Sequence, residues 1–196
     1  MGTGSGRAED GGGVTVSDVK WPTAAPIETP RLTLEPLRVD HADEMHAVLD
    51  DPALHTYIGG KPPTNDRLRR RYAIQTRGHS PDGTQGWLNW IARDRETGKA
   101  VGTVQATLTR TADARLQAEV AWVIGVGHQG RGYAKEAAAA MVDWLRGQKA
   151  DTLTAHIHPD HRASIAVATH LGLTATDLVE DGEIVWREGP IAPSGT

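Results

Sequence analysis

The densest chemical signal in the chain is the stretch Ile124–Met141, IGVGHQGRGYAKEAAAAM. Gly125, Gly127 and Gly130 spell G-x-G-x-x-G, the spacing that holds a dinucleotide's pyrophosphate at the start of a helix. In an overlapping frame, Gln129, Gly132 and Ala134 spell Q-x-x-G-x-A, a pattern associated with the pyrophosphate of acyl-CoA. Both patterns rely on successive N–H groups of a glycine-rich turn, backed by a helix dipole, to stabilise an anion. They differ in the chemistry each implies, nicotinamide redox in one frame and acyl transfer in the other.

The helix that must carry the site separates the two frames. Ala134, Ala137, Ala138, Met141, Val142 and Leu145 recur at helical spacing, and no apolar residue extends the pattern back through HQGR. The helix therefore starts close to Gly132. The dinucleotide frame would bury Gly130 and Gly132 inside it, at about 1 kcal/mol each relative to alanine. That frame also needs an acid at the end of the next strand to hold a ribose. Here that strand ends at His158, and Asp160 comes too late. In the second frame Gly130 and Gly132 let phosphates approach the backbone with no Cβ in the way, and Arg131 adds positive charge.

Composition narrows the chemistry further. A chain of 196 residues with 38% hydrophobic content suits one domain with a real core. It has no cysteine, which removes thiolate nucleophiles, disulfides, zinc-thiolate sites and iron-sulfur clusters. A net charge of -4 gives no long-range attraction to nucleic acid or anionic membrane. The dense basic run RLRRRY, Arg67–Tyr72, reads as a solvated helix face that could help select an acidic substrate. The Gly-rich start has no apolar h-region, and no apolar run approaches the length of a membrane span, so the expected location is the cytoplasm.

The positioning elements emerge from patterning. Residues 1–26 read as a flexible Gly/Pro-rich arm, 27–190 as the domain and 191–196 as a tail. RLTLEPL (31–37) reads as a first strand, followed by a helix after Asp40 and another after Thr64 or Asn65. WLNWIARD (87–94), AVGTVQATL (100–108) and AEVAWVI (118–124) are three consecutive strands, as in an antiparallel meander. After the glycine-rich helix come a strand at 152–158, a short helix at 162–170 and strands near 173–177 and 184–187. The predicted class is α+β: a mixed, mostly antiparallel sheet of about seven strands with about four helices, ordered β-α-α-β-β-β-α-β-α-β-β.

TPRLTLEPL, AEVAWVIGVGHQGRGYAKEA and HPDHRASIAVATHLGL, in that order and spacing, resemble the GNAT superfamily of acyl-CoA N-acyltransferases, specifically its RimJ/RimL-like branch. The resemblance spans about residues 27–188. It implies that backbone at Ile124 and Val126 pairs with the pantetheine arm like an added strand. It assigns the pyrophosphate to Gln129, Gly130, Arg131, Gly132, Tyr133 and Ala134. It also sets Ser164 near the thioester sulfur and His161, commonly Asn in the family, near the cofactor. A tyrosine that some members carry on the late helix is replaced by Ala168.

Transfer to an amine needs a neutral nucleophile, stabilisation of the tetrahedral oxyanion and a leaving thiolate that can be protonated. Glu119 matches the family's recurrent glutamate and is the expected base, prepared by partial desolvation in a cleft. A strand amide near Ile124 would hold the oxyanion, and Ser164 or water would protonate the thiolate. No G-x-S-x-G elbow is present, so direct attack on the bound thioester is the economical route. His156, His158 and His161 could form a three-imidazole site, but they read as cleft residues, and no metal is expected. Trp87, Trp90, Trp122, Trp144 and Trp186 read as core or cleft walls.

The expected activity is transfer of acetyl from acetyl-CoA to a primary amine, of a small molecule or a protein N-terminus. No nucleic-acid or membrane partner is expected, and the chain would act as a monomer or homodimer. The alternatives are a non-catalytic CoA-binding sensor or scaffold and, less favoured, an NAD-binding protein.

Overall fold

The computed structural model describes residues 20–188. They form a sheet of eight strands, with five α-helices among the described residues. The strands are β1 (Ile27–Glu28), β2 (Leu32–Pro36), β3 (Gly86–Asp94), β4 (Ala100–Arg110), β5 (Leu116–Ile124), β6 (Ala150–Ile157), β7 (Leu173–Glu180) and β8 (Glu183–Glu188). The helices are α1 (Ala42–Leu49), α2 (His55–Ile58), α3 (Asn65–Gln75), α4 (Tyr133–Gly147) and α5 (Arg162–His170). Spatial order is β1-β2-β3-β4-β5-β6-β8-β7, and every pairing is antiparallel except β5 with β6.

The expected α+β class is present, with two elements added. β1 is two residues long and α2 is a single turn, too short for either to leave a periodic pattern. No described helix is long and apolar enough to cross a membrane. Of the expected arm, residues 1–19 lie outside the described residues, as does the tail 191–196. Residues 20–26 depart from the arm reading. The Trp21 indole donates to the Gly83 carbonyl at 3.1 Å, the Trp90 indole donates to Ala25, and Ala24 packs on the core.

Strand alternation gives the sheet two unlike faces. On one, Leu88, Trp90, Val104, Ala106, Ala118, Val120, Leu153 and Ala155 are buried. α4 covers this face, turning Ala137, Met141, Val142 and Leu145 inward and packing across β1, β2, β4, β5 and β6. Full burial of each large side chain contributes on the order of 1.5–3 kcal/mol. α1 and α3 cover part of the other face through Met45, Leu49, Leu68 and Tyr72 against Ile91.

That second face is polar where the helices stop. Cross-strand register aligns Thr103 with Val123, Gln105 with Ala121, Thr107 with Glu119, and Glu119 with Thr154. All these residues therefore share one face, and His156, two residues beyond Thr154, joins them. Gly102 allows β4 and β5 to lie unusually close: a Cβ there would fall 2.6 Å from Ile124 Cδ1 and 3.0 Å from its Cα. Any side chain at this position would drive the two strands apart.

Candidate active site

β5 and β6 pair in parallel only from Leu116 to Glu119 on one side and Ala150 to Thr154 on the other. Beyond Glu119 the strands diverge. Val120–Ile124 keeps β4 as its only partner, and Ala155–Ile157 keeps only β8. The result is a forked cleft with an unpaired β5 edge along one wall and α5 along the other. Two hollows of about 280 Å³ and 410 Å³ occupy it, and both are lined by Tyr57, Trp122, Val123, His161 and Ser164.

At the open end the chain leaves β5 through a 3-10 turn, Val126–His128, and enters α4 through a glycine turn. Gly130 and Gly132 have φ of 74° and 80°, left-handed values that side-chain-bearing residues rarely adopt. The helix begins at Tyr133 with Gly132 as its cap, close to where periodicity sets it. Among the described residues, the amides of Gly130, Arg131, Gly132, Tyr133 and Ala134 donate to no protein group. A Cβ at Gly130 would meet nothing within 4 Å. Unpartnered donors, open space and a helix N-terminus together fit a diphosphate.

Two side chains assigned to the pyrophosphate do other work. The Tyr133 ring is buried and its hydroxyl donates to Asp94 at 2.5 Å, so only its amide faces the loop. The Gln129 carboxamide donates to the Ile124 carbonyl at 3.0 Å, pinning the loop to the strand end. Val126 lies past the end of β5, and its side chain lines a separate hollow with Val48 and Lys99. The strand edge available for pairing therefore stops at Ile124, and Val126 can contribute only a turn amide. Arg131 is exposed and Ala134 lines the outer hollow.

A clamp that sequence reasoning missed holds this loop from below. The Arg31 guanidinium donates to the Arg131 carbonyl at 2.8 Å, pairs with Glu136 at 2.6 Å and lies 4.9 Å from the centre of the Tyr133 ring. Glu136 also accepts from Thr29 Oγ1 and from the Arg31 amide. Burial pushes the Glu136 carboxyl up, but these hydrogen bonds outweigh it and hold it below the ordinary glutamate value. Thr29 and Arg31 belong to TPR, at the start of the first predicted strand, with nothing local to tie them to a helix about 100 residues away.

At the closed end, Glu119 is the last β5 residue paired to β6. Its side chain is 53% exposed, in place of the expected partial burial. His156 Nδ1 lies 3.4 Å from Glu119 Oε1, and His156 Nε2 lies 3.3 Å from Glu180 Oε2. Neither approach is aligned as a hydrogen bond, and His156 Nε2 is a buried nitrogen with no hydrogen-bond partner. The three side chains form a row from the fork to the surface. The parallel β5–β6 register that creates this row cannot be read from either strand alone.

On the α5 wall, His161 stacks on Tyr57 from α2, with centroids 4.5 Å apart and planes 13° from parallel, and His158 tilts against the same ring. Burial first, and the neighbouring His158 second, lower the His161 pKa, so this imidazole is neutral near pH 7. Ser164 lines both hollows, and its hydroxyl makes no hydrogen bond among the described residues. The three histidines do not converge: His156 turns to the carboxylates while His158 and His161 turn to Tyr57. Ala168 is fully buried, so that position offers nothing to the cleft. Of the tryptophans, Trp90 is core and Trp122 walls the cleft.

Residues 31–174 match the model of the acetyltransferase (GNAT) domain. A Bacillus subtilis protein, YkkB, is 28% identical over 135 residues, 68% of this chain and 76% of its own length. The N-acetyltransferase p20 of Bacillus licheniformis is 25% identical over 158 residues, 80% of this chain and 86% of its own. In fold, the ribosomal-protein-S5-alanine acetyltransferase of Vibrio fischeri superposes with a TM-score of 0.68 at 17% identity, covering 84% of this chain and 96% of that one.

Proposed function

The chain belongs to the acetyltransferase (GNAT) domain family, whose members are acyl-CoA-dependent enzymes, and on that premise we propose that it acetylates a primary amine by direct attack, with no acyl-enzyme. The observation that carries this reading is the unpaired β5 edge, running from Glu119 at the fork to the free amides of Gly130–Ala134 at the mouth. The family assignment leaves no support for the nicotinamide frame.

Acetyl-CoA supplies the activated thioester. The amides of Gly130–Ala134 would hold its pyrophosphate, and the open edge of β5 up to Ile124 would take the extended pantetheine arm as an added strand. Trp122 and Val123 on one wall and His161 and Val167 on the other line the slot.

Glu119 is the base, accepting the amine's proton directly or through a water. Its exposed carboxylate passes the proton to solvent, with His156 and Glu180 standing beyond it. An amide of the free β5 edge stabilises the oxyanion. The uncommitted Ser164 hydroxyl, or water, protonates the departing thiolate. The absence of cysteine supports transfer without a thiol relay.

The catalytic unit spans residues 27–190, with residues 20–26 packed against it. The Vibrio enzyme's name makes a protein N-terminal amine one acceptor to try, beside small amines. Thiol release by the purified chain with acetyl-CoA and a panel of amines is the direct test. Release that requires both an amine and Glu119 is expected. Coenzyme A binding without release on any amine would overturn the reading and leave a sensor domain in its place.

A further inference from the structure

Across β4 from the fork lies a hollow of about 370 Å³, roofed by α3 and the α2–α3 loop. Its floor includes Asn89, Thr103, Gln105 and Val123, and the last three also line the inner cleft beside Glu119. A molecule bound in the hollow thus abuts the fork from the side opposite the pantetheine slot. Lys61, Arg67 and Arg71 line it, and among the described residues no Asp or Glu does.

The basic run RLRRRY divides its work by helix geometry. Arg67 and Arg71 are four apart and share a face of α3. Arg69 lies on another face, where Asp43 at 2.5 Å and Asn65 hold it. Among the described residues no carboxylate lies within ion-pair distance of Lys61, Arg67 or Arg71. Other arginines near this face are neutralised, Arg93 by Glu35 and Glu44 and Arg38 by Asp40. Burial pushes the Tyr72 phenol up, which keeps it uncharged beside these cations.

We propose that the acceptor is an amine bearing a carboxylate, and that Arg67 and Arg71, assisted by Lys61, bind that carboxylate while the amine reaches past Thr103 and Gln105 to Glu119. This rests on the reading of the fork as the acetyl-transfer site. Paired guanidiniums offer the planar donors that a carboxylate accepts. The same cations disfavour an ammonium ion nearby, and so raise the fraction of neutral amine that can attack. An exposed single ion pair contributes little, so the selectivity depends on the cations acting together.

The test uses the full chain, acetyl-CoA and matched acceptors: glutamate against its diamide, and a short peptide beginning Asp-Glu against one beginning Asn-Gln. The kcat/KM for the carboxylate-bearing member should exceed that of its neutral partner by about 10-fold or more. Whichever acidic acceptor is faster shows whether the source is a free amino acid or a peptide N-terminus. The double variant Arg67→Gln/Arg71→Gln should erase the preference chiefly through KM, lower kcat near neutral pH as the bound amine loses its bias toward the neutral form, and leave acetyl-CoA affinity unchanged. Arg67→Lys/Arg71→Lys should retain part of it, which separates charge from folding. Equal rates on both members of each pair, or equal losses in the Gln variant, would overturn the proposal. If no amine releases thiol, the transfer reading itself fails. Calorimetry with glutarate then tests the hollow alone: binding lost in the Gln variant upholds the carboxylate site, and no binding to wild type overturns it.

Discussion

On the α4 side of the cleft, the groups facing a ligand are main-chain amides on a turn whose shape requires two left-handed glycines. On the α3 side they are the ends of long, exposed side chains from a helix and a loop. A backbone site has a fixed geometry set by the fold, and it suits a partner that never changes, such as a diphosphate. A side-chain site can be rewritten by substitution without disturbing the sheet, and it suits the partner on which related enzymes differ. On the proposed assignment, the cofactor half is constrained by conformation and the acceptor half by charge.

This contrast predicts unequal sensitivity. The largest effect is expected from Gly132→Trp, which adds a side chain at a φ of 80° and starts it 3.4 Å from the Arg31 guanidinium that holds the loop. Acetyl-CoA affinity measured by calorimetry should fall by at least about 100-fold with the circular dichroism spectrum preserved, the cost of left-handed φ being ~1–2 kcal/mol. Unchanged affinity would mean that the loop does not meet the pyrophosphate.

Glu119→Gln probes the seam between the halves. Turnover should drop by about 100-fold, the usual scale for a lost general base. Acetyl-CoA affinity should stay within about 2-fold. A rate that tracks wild type across the pH range would remove Glu119 from the mechanism.

The smallest effect concerns the clamp under the phosphate loop. Glu136 has a folded pKa held below its ordinary 4.5, so its contribution to stability is complete above that value and is lost as pH falls through the lower, folded one. The thermal stability advantage of wild type over Glu136→Gln should be constant near neutrality and shrink below about pH 4.5. An advantage that persists in stronger acid would show that the clamp works through packing and not through charge.

The same division explains what the amino-acid sequence makes legible. Gly130, Gly132 and the apolar rhythm after Ala134 are local features, so the phosphate turn, the helix start and the meander can be read without knowledge of any contact. Glu119 is legible only through family resemblance, and the burial expected for it is replaced by an exposed side chain that a parallel register sets beside His156. Tyr57, Arg31 and Glu136 act across long separations, and no spacing rule links them. The Tyr133 and Gln129 side chains belong to a pattern read for its ligand, yet both are bonded inward. Their types are required by the loop's support as much as by what it binds.

Gly102 sets which wall of the cleft can give. With β4 pressed against β5 at that point, the β5 wall is backed by the whole meander and behaves as a rigid jaw. The opposing wall, β6 with α5 and the β7–β8 hairpin, is paired to it through only four β5 residues below the fork, and α4 packs on both sides of the junction. Widening of the cleft breaks the fewest sheet hydrogen bonds when the outer wall, rather than the meander, gives way beside the Leu116–Glu119 ladder. The enzyme would then exchange its cofactor without disturbing either the base or the acceptor floor.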